Sequence, residues 1–231
     1  MPTFALDTST ASPSLALVRD DEPVAELLLA PEPGAGRRVL EAVHGLLGSV
    51  GGTVADIDEI VVGVGPGGFT GLRIGLATAL GLGQALGVPV TGASSLEALA
   101  LGLAEGAPPG ALLVPVLDAR RRELFAAVYR TGPAGLAEVL GPRAVAPAAL
   151  AEILGELGEP AWIGGAGVVA AGDALDGPGR HVLAPGARAG RISAAALVTR
   201  VRAGAGLPAL PVYARLPDAE VNRRAVAATE A

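Results

Sequence analysis

The chain has 231 residues, half of them apolar, with a formal charge of −6, no cysteine and no lysine. That length allows one large domain or two small ones with real buried cores. The lack of cysteine excludes disulfides and thiolate metal sites, and the acidic balance argues against a chain that is by itself the main binder of a nucleic acid.

No apolar stretch approaches the ~20 unbroken residues of a spanning helix; the longest, Ile74 to Leu86, is interrupted by Gly81, Gly83 and Gln84. The opening Met1-Pro2-Thr3-Phe4 lacks the basic start and long apolar run of a signal peptide. A cytoplasmic protein with no membrane attachment is expected.

In chain order, Thr3 to Leu6 reads as a buried strand, Asp7 to Pro13 as a polar turn, Ser14 to Val18 as a second strand and Val24 to Leu29 as a third, with a turn at Asp20-Asp21-Glu22. Short turns between three strands predict an antiparallel meander. After a loop from Pro31 to Gly36, Val39, Val43, Leu46, Leu47 and Val50 share one helical face, and Gly51-Gly52 ends that helix. Ile60 to Val64 suits a strand buried on both sides. A Gly-rich turn then opens a long helix from about Thr70 to Leu86, followed by a short strand at Val88 to Thr91 and a helix with Ser95 as its N-cap.

Glu105 to Gly110 reads as a linker, and the pattern restarts beyond it. Leu112 to Leu117 is a strand ending in Asp118, Ala119 to Arg122 a turn, and Leu124 to Tyr129 and Ala137 to Leu140 are two further strands. Ala148 to Leu157 is a helix, Ala161 to Ile163 a strand and Gly164 to Gly167 a second Gly-rich turn. The order strand-strand-strand-helix-strand-helix occurs twice, each copy with an Asp ending its first strand, Asp7 and Asp118. This predicts two duplicated α/β lobes of βββαβα type, residues 1–105 and 111–215, facing each other across a cleft. Residues 216–231 are polar and Ala-rich without an apolar face, which predicts a disordered tail.

The segment Gly65-Pro66-Gly67-Gly68-Phe69-Thr70-Gly71-Leu72-Arg73-Ile74-Gly75 carries the most information. It places an amide-rich turn at a helix N-terminus, which is either an anion site or a plain strand-to-helix connection. It is no Walker A loop, since no Gly-Lys-Ser/Thr follows. Gly71, Gly75, Ala79, Gly83 and Gly87 recur every four residues and form a stripe almost free of side chains. Interior glycines cost roughly 0.5–1 kcal/mol each relative to alanine, so the stripe implies close backbone approach. Its partner is either the Val/Leu face of the first helix (Val39, Val43, Leu47) or a foreign helix.

Asp58 to Gly75, together with Asp7-Thr8-Ser9, Asp118 to Phe125 and Pro211-Val212-Tyr213-Ala214-Arg215, resembles the bacterial TsaB family, formerly YeaZ. The four matches span nearly the whole chain in order. The resemblance implies an actin/Hsp70-like (ASKHA) fold and a role in making threonylcarbamoyladenosine in tRNA. It further implies a non-catalytic scaffold that pairs with the catalytic paralogue TsaD and associates with the ATPase TsaE. On this reading tRNA is reached only through the complex, and homodimers form in isolation. The helix pair is then the intermolecular face, with Val39, Val43, Leu47, Gly71, Gly75, Ala79 and Gly83 as its candidates. Asp7 and Asp118 stand where actin-like ATPases hold Mg-nucleotide, but here they read better as caps on tight turns. No cofactor is expected beyond weak nucleotide binding at Asp7, Thr8, Ser9, Gly67 and Gly68.

Two other functions compete. A metallopeptidase of this superfamily needs two His on one helical face, whereas His44 and His181 are widely separated, so no catalytic or metal residue is assigned. An actin-like small-molecule kinase or ATPase needs a complete nucleotide cleft, for which Asp7, Asp118 and Gly164-Gly165 supply a partial outline. Arg120-Arg121-Arg122 reads either as an RNA or anion contact or as a solvated turn.

Overall fold

The computed structural model describes residues 2–31, 38–132 and 135–214. The expected tail and the start of the first helix at Gly36-Arg37 lie outside these residues.

The meander forms as β1 (Pro2–Asp7), β2 (Ser14–Arg19) and β3 (Glu22–Leu28), paired antiparallel. Asp20 and Asp21 both take positive φ, 52° and 65°, as a two-residue hairpin turn between right-twisted strands requires. After α1 (Val39–Ser49), β4 (Glu59–Gly63) runs parallel to β1. Then α2 (Phe69–Leu86) leads to β5 (Val90–Ala93), parallel to β4, and to α3 (Ser95–Ala104).

The second half comprises β6 (Leu112–Asp118), β7 (Leu124–Gly132), β8 (Gly135–Val145), α4 (Pro147–Leu157), β9 (Ala161–Gly164), α5 (Val168–Ala171), β10 (Arg180–Val182) and α6 (Ala194–Arg200). The sheets have the orders β3-β2-β1-β4-β5 and β8-β7-β6-β9-β10, so each half uses the same topology. The full repeat is βββαβαβα, an actin-like pair of lobes.

Several boundaries differ from expectation for local reasons. Gly87 ends α2 in the left-handed region at φ 69°, and Val88 still donates to Gly83 O. Pro89 has no N–H, so β5 starts at Val90 rather than Val88. The N-cap of α3 is Ser94, whose side chain accepts from Glu97 N, and not Ser95. β8 runs well past Leu140 through Pro142, which an edge strand tolerates. The repeated order calls for a helix after β9, which α5 supplies, whereas β10 and α6 were not expected: three- and seven-residue elements carry too few turns for a periodic signal, and α6 opens with three alanines.

Three apolar layers hold the five structural layers together. α1 and α2 cover one face of the first sheet through Val43, Leu46, Leu47, Leu76 and Ala79, which meet Phe4, Leu6, Leu15 and Ile60. α4 and α5 cover the far face of the second sheet through Leu150, Leu154 and Val168. Between the sheets lie α3 and α6, with Leu96, Leu99, Leu103, Leu197 and Val198 packed on Ala5, Ala16 and Val61 from one side and Leu113, Phe125 and Tyr129 from the other. Each fully buried leucine contributes about 1.5–3 kcal/mol.

The halves exchange their last helices. α3 packs on β6 and β7 of the second sheet, whereas α6 packs on β1, β2 and β4 of the first. Ser193 caps α6 and donates to Glu26 Oε1 (2.6 Å), Ala194 N donates to Ser14 Oγ (3.0 Å), and Arg200 Nε reaches Glu97 Oε2 at 2.7 Å. Beyond α6, Leu207 exchanges both backbone hydrogen bonds with Gly92, and Val212 N donates to Val64 O. Residues 194–213 therefore pack on the first sheet, so a division into 1–105 and 111–215 separates the sheets but not the helices.

Candidate functional site

The glycine stripe of α2 faces its own lobe. A Cβ at Gly71 would lie 2.0 Å from Thr8 O, one at Gly75 2.2 Å from Thr8 Oγ1, and one at Gly83 2.3 Å from Val90 Cγ2. Ala79 is wholly buried. The partner of the stripe is the β1–β2 turn and β5, neither α1 nor another protein. Val39, Val43 and Leu47 are likewise buried against the first sheet. Six of the seven residues expected at the intermolecular face are thus buried and Gly71 is half-buried, because the smooth side of a helix packs where the backbone of a sheet comes close.

The opposite faces of α1 and α2 are the exposed ones. Leu40 is 52% exposed and Leu80 45% exposed, and His44 on α1 and Arg73, Ala77 and Gln84 on α2 are also exposed. Gly45, Gly48 and Gly81 lie on these faces, with open space where a Cβ would stand. Their missing side chains serve no packing inside the chain. The two helices touch side by side on one face of the sheet.

The aspartates that end β1 and β6 cap turns. Asp7 Oδ1 accepts from Ser9 N at 2.8 Å and Asp118 Oδ1 accepts from Arg120 N at 2.7 Å, each two residues on. Asp7 is buried, and its remaining partners are Ser9 Oγ (2.6 Å) and Ser95 Oγ, which donates to Oδ2 at 2.6 Å. Burial pushes the Asp7 carboxyl above its usual range, while the bonds from Ser9 and Ser95 pull it down. Gly63 is obligatory beside it, since a Cβ there would stand 1.9 Å from Asp7 Oδ2. Ser95 and Gly63 were missed as site residues because neither has a local signal; only the sheet brings them to Asp7.

The residues where an actin-like protein holds Mg-nucleotide pack closely on one another here. Gly68 N donates to Ser9 O at 2.7 Å, and a Cβ at Gly67 would be 2.5 Å from Ser9 Cβ, so the two turns close on each other. Thr8 Oγ1 is committed to Gly71 O at 2.7 Å. Asp7, Thr8, Ser9, Gly67 and Gly68 are therefore brought together as a packed junction.

Thr8, Ser9, Gly67 and Gly68 of this junction line one side of a cleft of about 1160 Å³ between the lobes. Thr10, Gly68, Phe69 and Thr70 line one wall and Asp118, Arg120, Arg121, Phe125 and Val169 the other, with Val212 and Tyr213 at the rim. Phe69 lies between Arg73, 3.8 Å above its ring, and Tyr213, with ring centroids 5.9 Å apart.

Residues 36–190 match the family model described as TsaD, tRNA N6-adenosine threonylcarbamoyltransferase. The tRNA threonylcarbamoyladenosine biosynthesis protein TsaB of Bacillus subtilis is 35% identical over 160 residues, 69% of each chain. The chain belongs to the TsaB/YeaZ family. The Escherichia coli TsaB is 34% identical over 136 residues, 59% of this chain and 58% of its own. The solved structure of YeaZ from Pseudomonas aeruginosa superposes with a TM-score of 0.76 at 25% identity, covering 92% of this chain and 99% of that one. The process served by the TsaB/YeaZ family is tRNA threonylcarbamoyladenosine biosynthesis, and the two-lobed fold is common to both. Among the described residues no helix is long and apolar enough to cross a membrane, and no group of three or more His, Asp and Glu could hold a metal ion.

Proposed function

We propose that this TsaB/YeaZ-family chain is a non-catalytic scaffold of tRNA threonylcarbamoyladenosine synthesis. It pairs through the outward faces of α1 and α2 with a TsaD-like catalytic paralogue and associates with a TsaE-like ATPase. The carrying observation is the exposed two-helix surface, where Leu40 and Leu80 stand beside Gly45, Gly48 and Gly81. An exposed helix-interior glycine costs about 1 kcal/mol relative to alanine. Three of them on adjacent faces support close approach by foreign helices, with the two leucines as anchors. In the absence of the paralogue the same surface serves a second copy, since a two-fold interface is isologous.

The scaffold reading is supported by what occupies the catalytic places. Asp7 and Asp118 hold turns, Ser9 and Gly68 are tied to each other by a backbone hydrogen bond, and His44 and His181 sit on α1 and β10. Transfer of the threonylcarbamoyl group to N6 of adenosine then takes place on the paralogue, with tRNA engaged through the complex in the cytoplasm.

Co-expression with the TsaD-like protein of the same organism tests this. The expected result is a stable complex that modifies tRNA when the ATPase is added, with no product from this chain alone. Turnover of ATP or of a peptide by the purified chain, or no pairing with the paralogue, overturns it.

A further inference from the structure

The outward face of α1 carries two metal-donor side chains that packing within the chain does not use. Glu41 and His44 are both exposed there and stand three residues apart, so they are neighbours on one helical face. The His44 ring is held through Nδ1, which lies 2.9 Å from Leu40 O. A carbonyl only accepts, so in the neutral ring Nδ1 carries the proton and Nε2 keeps its lone pair. That is the arrangement of a metal-ligating histidine, whose other ring nitrogen is oriented by a backbone carbonyl or carboxylate. Among the described residues nothing pairs with Glu41. Arg73, the basic side chain of α2, is stacked on Phe69.

Two donors are half of a metal site, and a two-fold copy supplies the other half. An isologous pair sets the same patch of each copy against the other. α1 admits that approach at Gly45 and Gly48, where a Cβ would meet nothing within 4 Å. Gly45 follows His44 directly, and Gly48 lies one turn beyond it. Helices that close on these bare positions bring Glu41 and His44 of both copies together. Glu-x-x-His pairs projecting from facing helices hold divalent metals in helix bundles. Two imidazoles and two carboxylates complete the four-ligand set that zinc takes.

We infer that two copies of this chain bind one divalent transition-metal ion between their α1 helices, through His44 Nε2 and the Glu41 carboxylate of each, with Zn²⁺ the best match to these donors. The inference rests on the reading of the α1–α2 surface as a face that also pairs with a second copy. It adds a control to that reading. Bound metal favours the homodimer, and the homodimer covers the face that the paralogue uses, so zinc and the paralogue oppose each other. The other histidine, His181, is stacked on Trp162 in the second sheet, with ring centroids 4.2 Å apart, and takes no part.

The test is sedimentation velocity on the full chain without an affinity tag, in EDTA and in Zn²⁺, with titration calorimetry for the stoichiometry. Zinc is expected to tighten the dimer about tenfold or more, with one ion bound per two chains. His44→Gln and Glu41→Gln should each lose the zinc effect and keep the pairing seen in EDTA, whereas His181→Gln should retain the effect. All three side chains are exposed, and near-ultraviolet circular dichroism reports that the variants stay folded. Leu80→Glu, which puts a charge on the α1–α2 face, should remove the zinc dimer as well. A dimer that forms in EDTA and ignores zinc overturns this inference alone. A chain that stays monomeric with and without zinc overturns the self-pairing reading along with it. One ion per monomer, or a zinc effect that survives His44→Gln or Leu80→Glu, also overturns the metal site.

Discussion

Thr8 and Gly75 meet where the β1–β2 turn lies on α2. Thr8 Oγ1 donates to Gly71 O at 2.7 Å, and a Cβ on Gly75 would stand 2.2 Å from Thr8 Oγ1. The glycine stripe is thus an internal seam, and α2 has two kinds of glycine. Gly75→Ala is expected to destabilise the fold by about 1–3 kcal/mol through overpacking. Gly81→Ala, with nothing within 4 Å, should be neutral or stabilising by up to about 1 kcal/mol. Urea denaturation of the two variants measures the difference, and equal midpoints would show that the seam is loose.

The outward helix face makes an opposite prediction. Leu40→Glu or Leu80→Glu should leave the melting temperature within a few degrees, since neither side chain is in the core. Each should abolish co-purification with the TsaD-like paralogue. Should pairing survive both substitutions, the partner docks elsewhere.

Asp7 sets a pH dependence. Its carboxyl is raised from the ordinary 3.8 chiefly by burial, so the native state holds this proton at a pH where the unfolded chain has released it. Between the two values the native state binds more protons, and stability falls as pH rises. The contribution is complete below 3.8 and is lost as pH passes the raised folded value. Asp7→Asn removes this slope, so its urea midpoint should vary less with pH across that window than that of the unaltered chain. Parallel pH profiles would refute the assignment.

An ion pair joins the exchanged helices. Arg200 Nε lies 2.7 Å from Glu97 Oε2, with side chains 11% and 21% exposed. Removing one partner strands a largely buried charge, so Arg200→Ala should cost about 2–4 kcal/mol. Replacing both, as Arg200→Met with Glu97→Gln, should recover most of that loss, because neither charge is then left alone. A double-mutant cycle by thermal denaturation checks it; strictly additive losses would mean that the pair is uncoupled.

Much of the fold was legible because strands and long helices announce themselves by period. The meander of β1 to β3, the buried run of β4, the 18-residue α2 and the restart after Gly110 all follow from apolar spacing and turn residues. Asp7 and Asp118 could be read as turn caps because an Asx turn is closed two residues away. The interface residues were misplaced for an equally physical reason. Sequence shows that Gly71, Gly75 and Gly83 lie on one helical face, but it cannot show what that face approaches.

The linear chain by itself determined two α/β halves of common pattern, no cysteine or paired-histidine chemistry, and a glycine-rich turn opening α2, since these depend on composition and on residues within one or two turns of each other. Tertiary structure alone decided that α3 and α6 trade sheets, that Ser95 and Gly63 enclose Asp7, that the smooth side of α2 is sealed on Thr8, and that Arg120 and Arg121 share a cleft with Phe69 and Tyr213. Each of those relations joins residues tens of positions apart. Which residues meet at that range is set by the packing of whole layers, where many weak apolar contacts are satisfied together, and no local run of side chains encodes it.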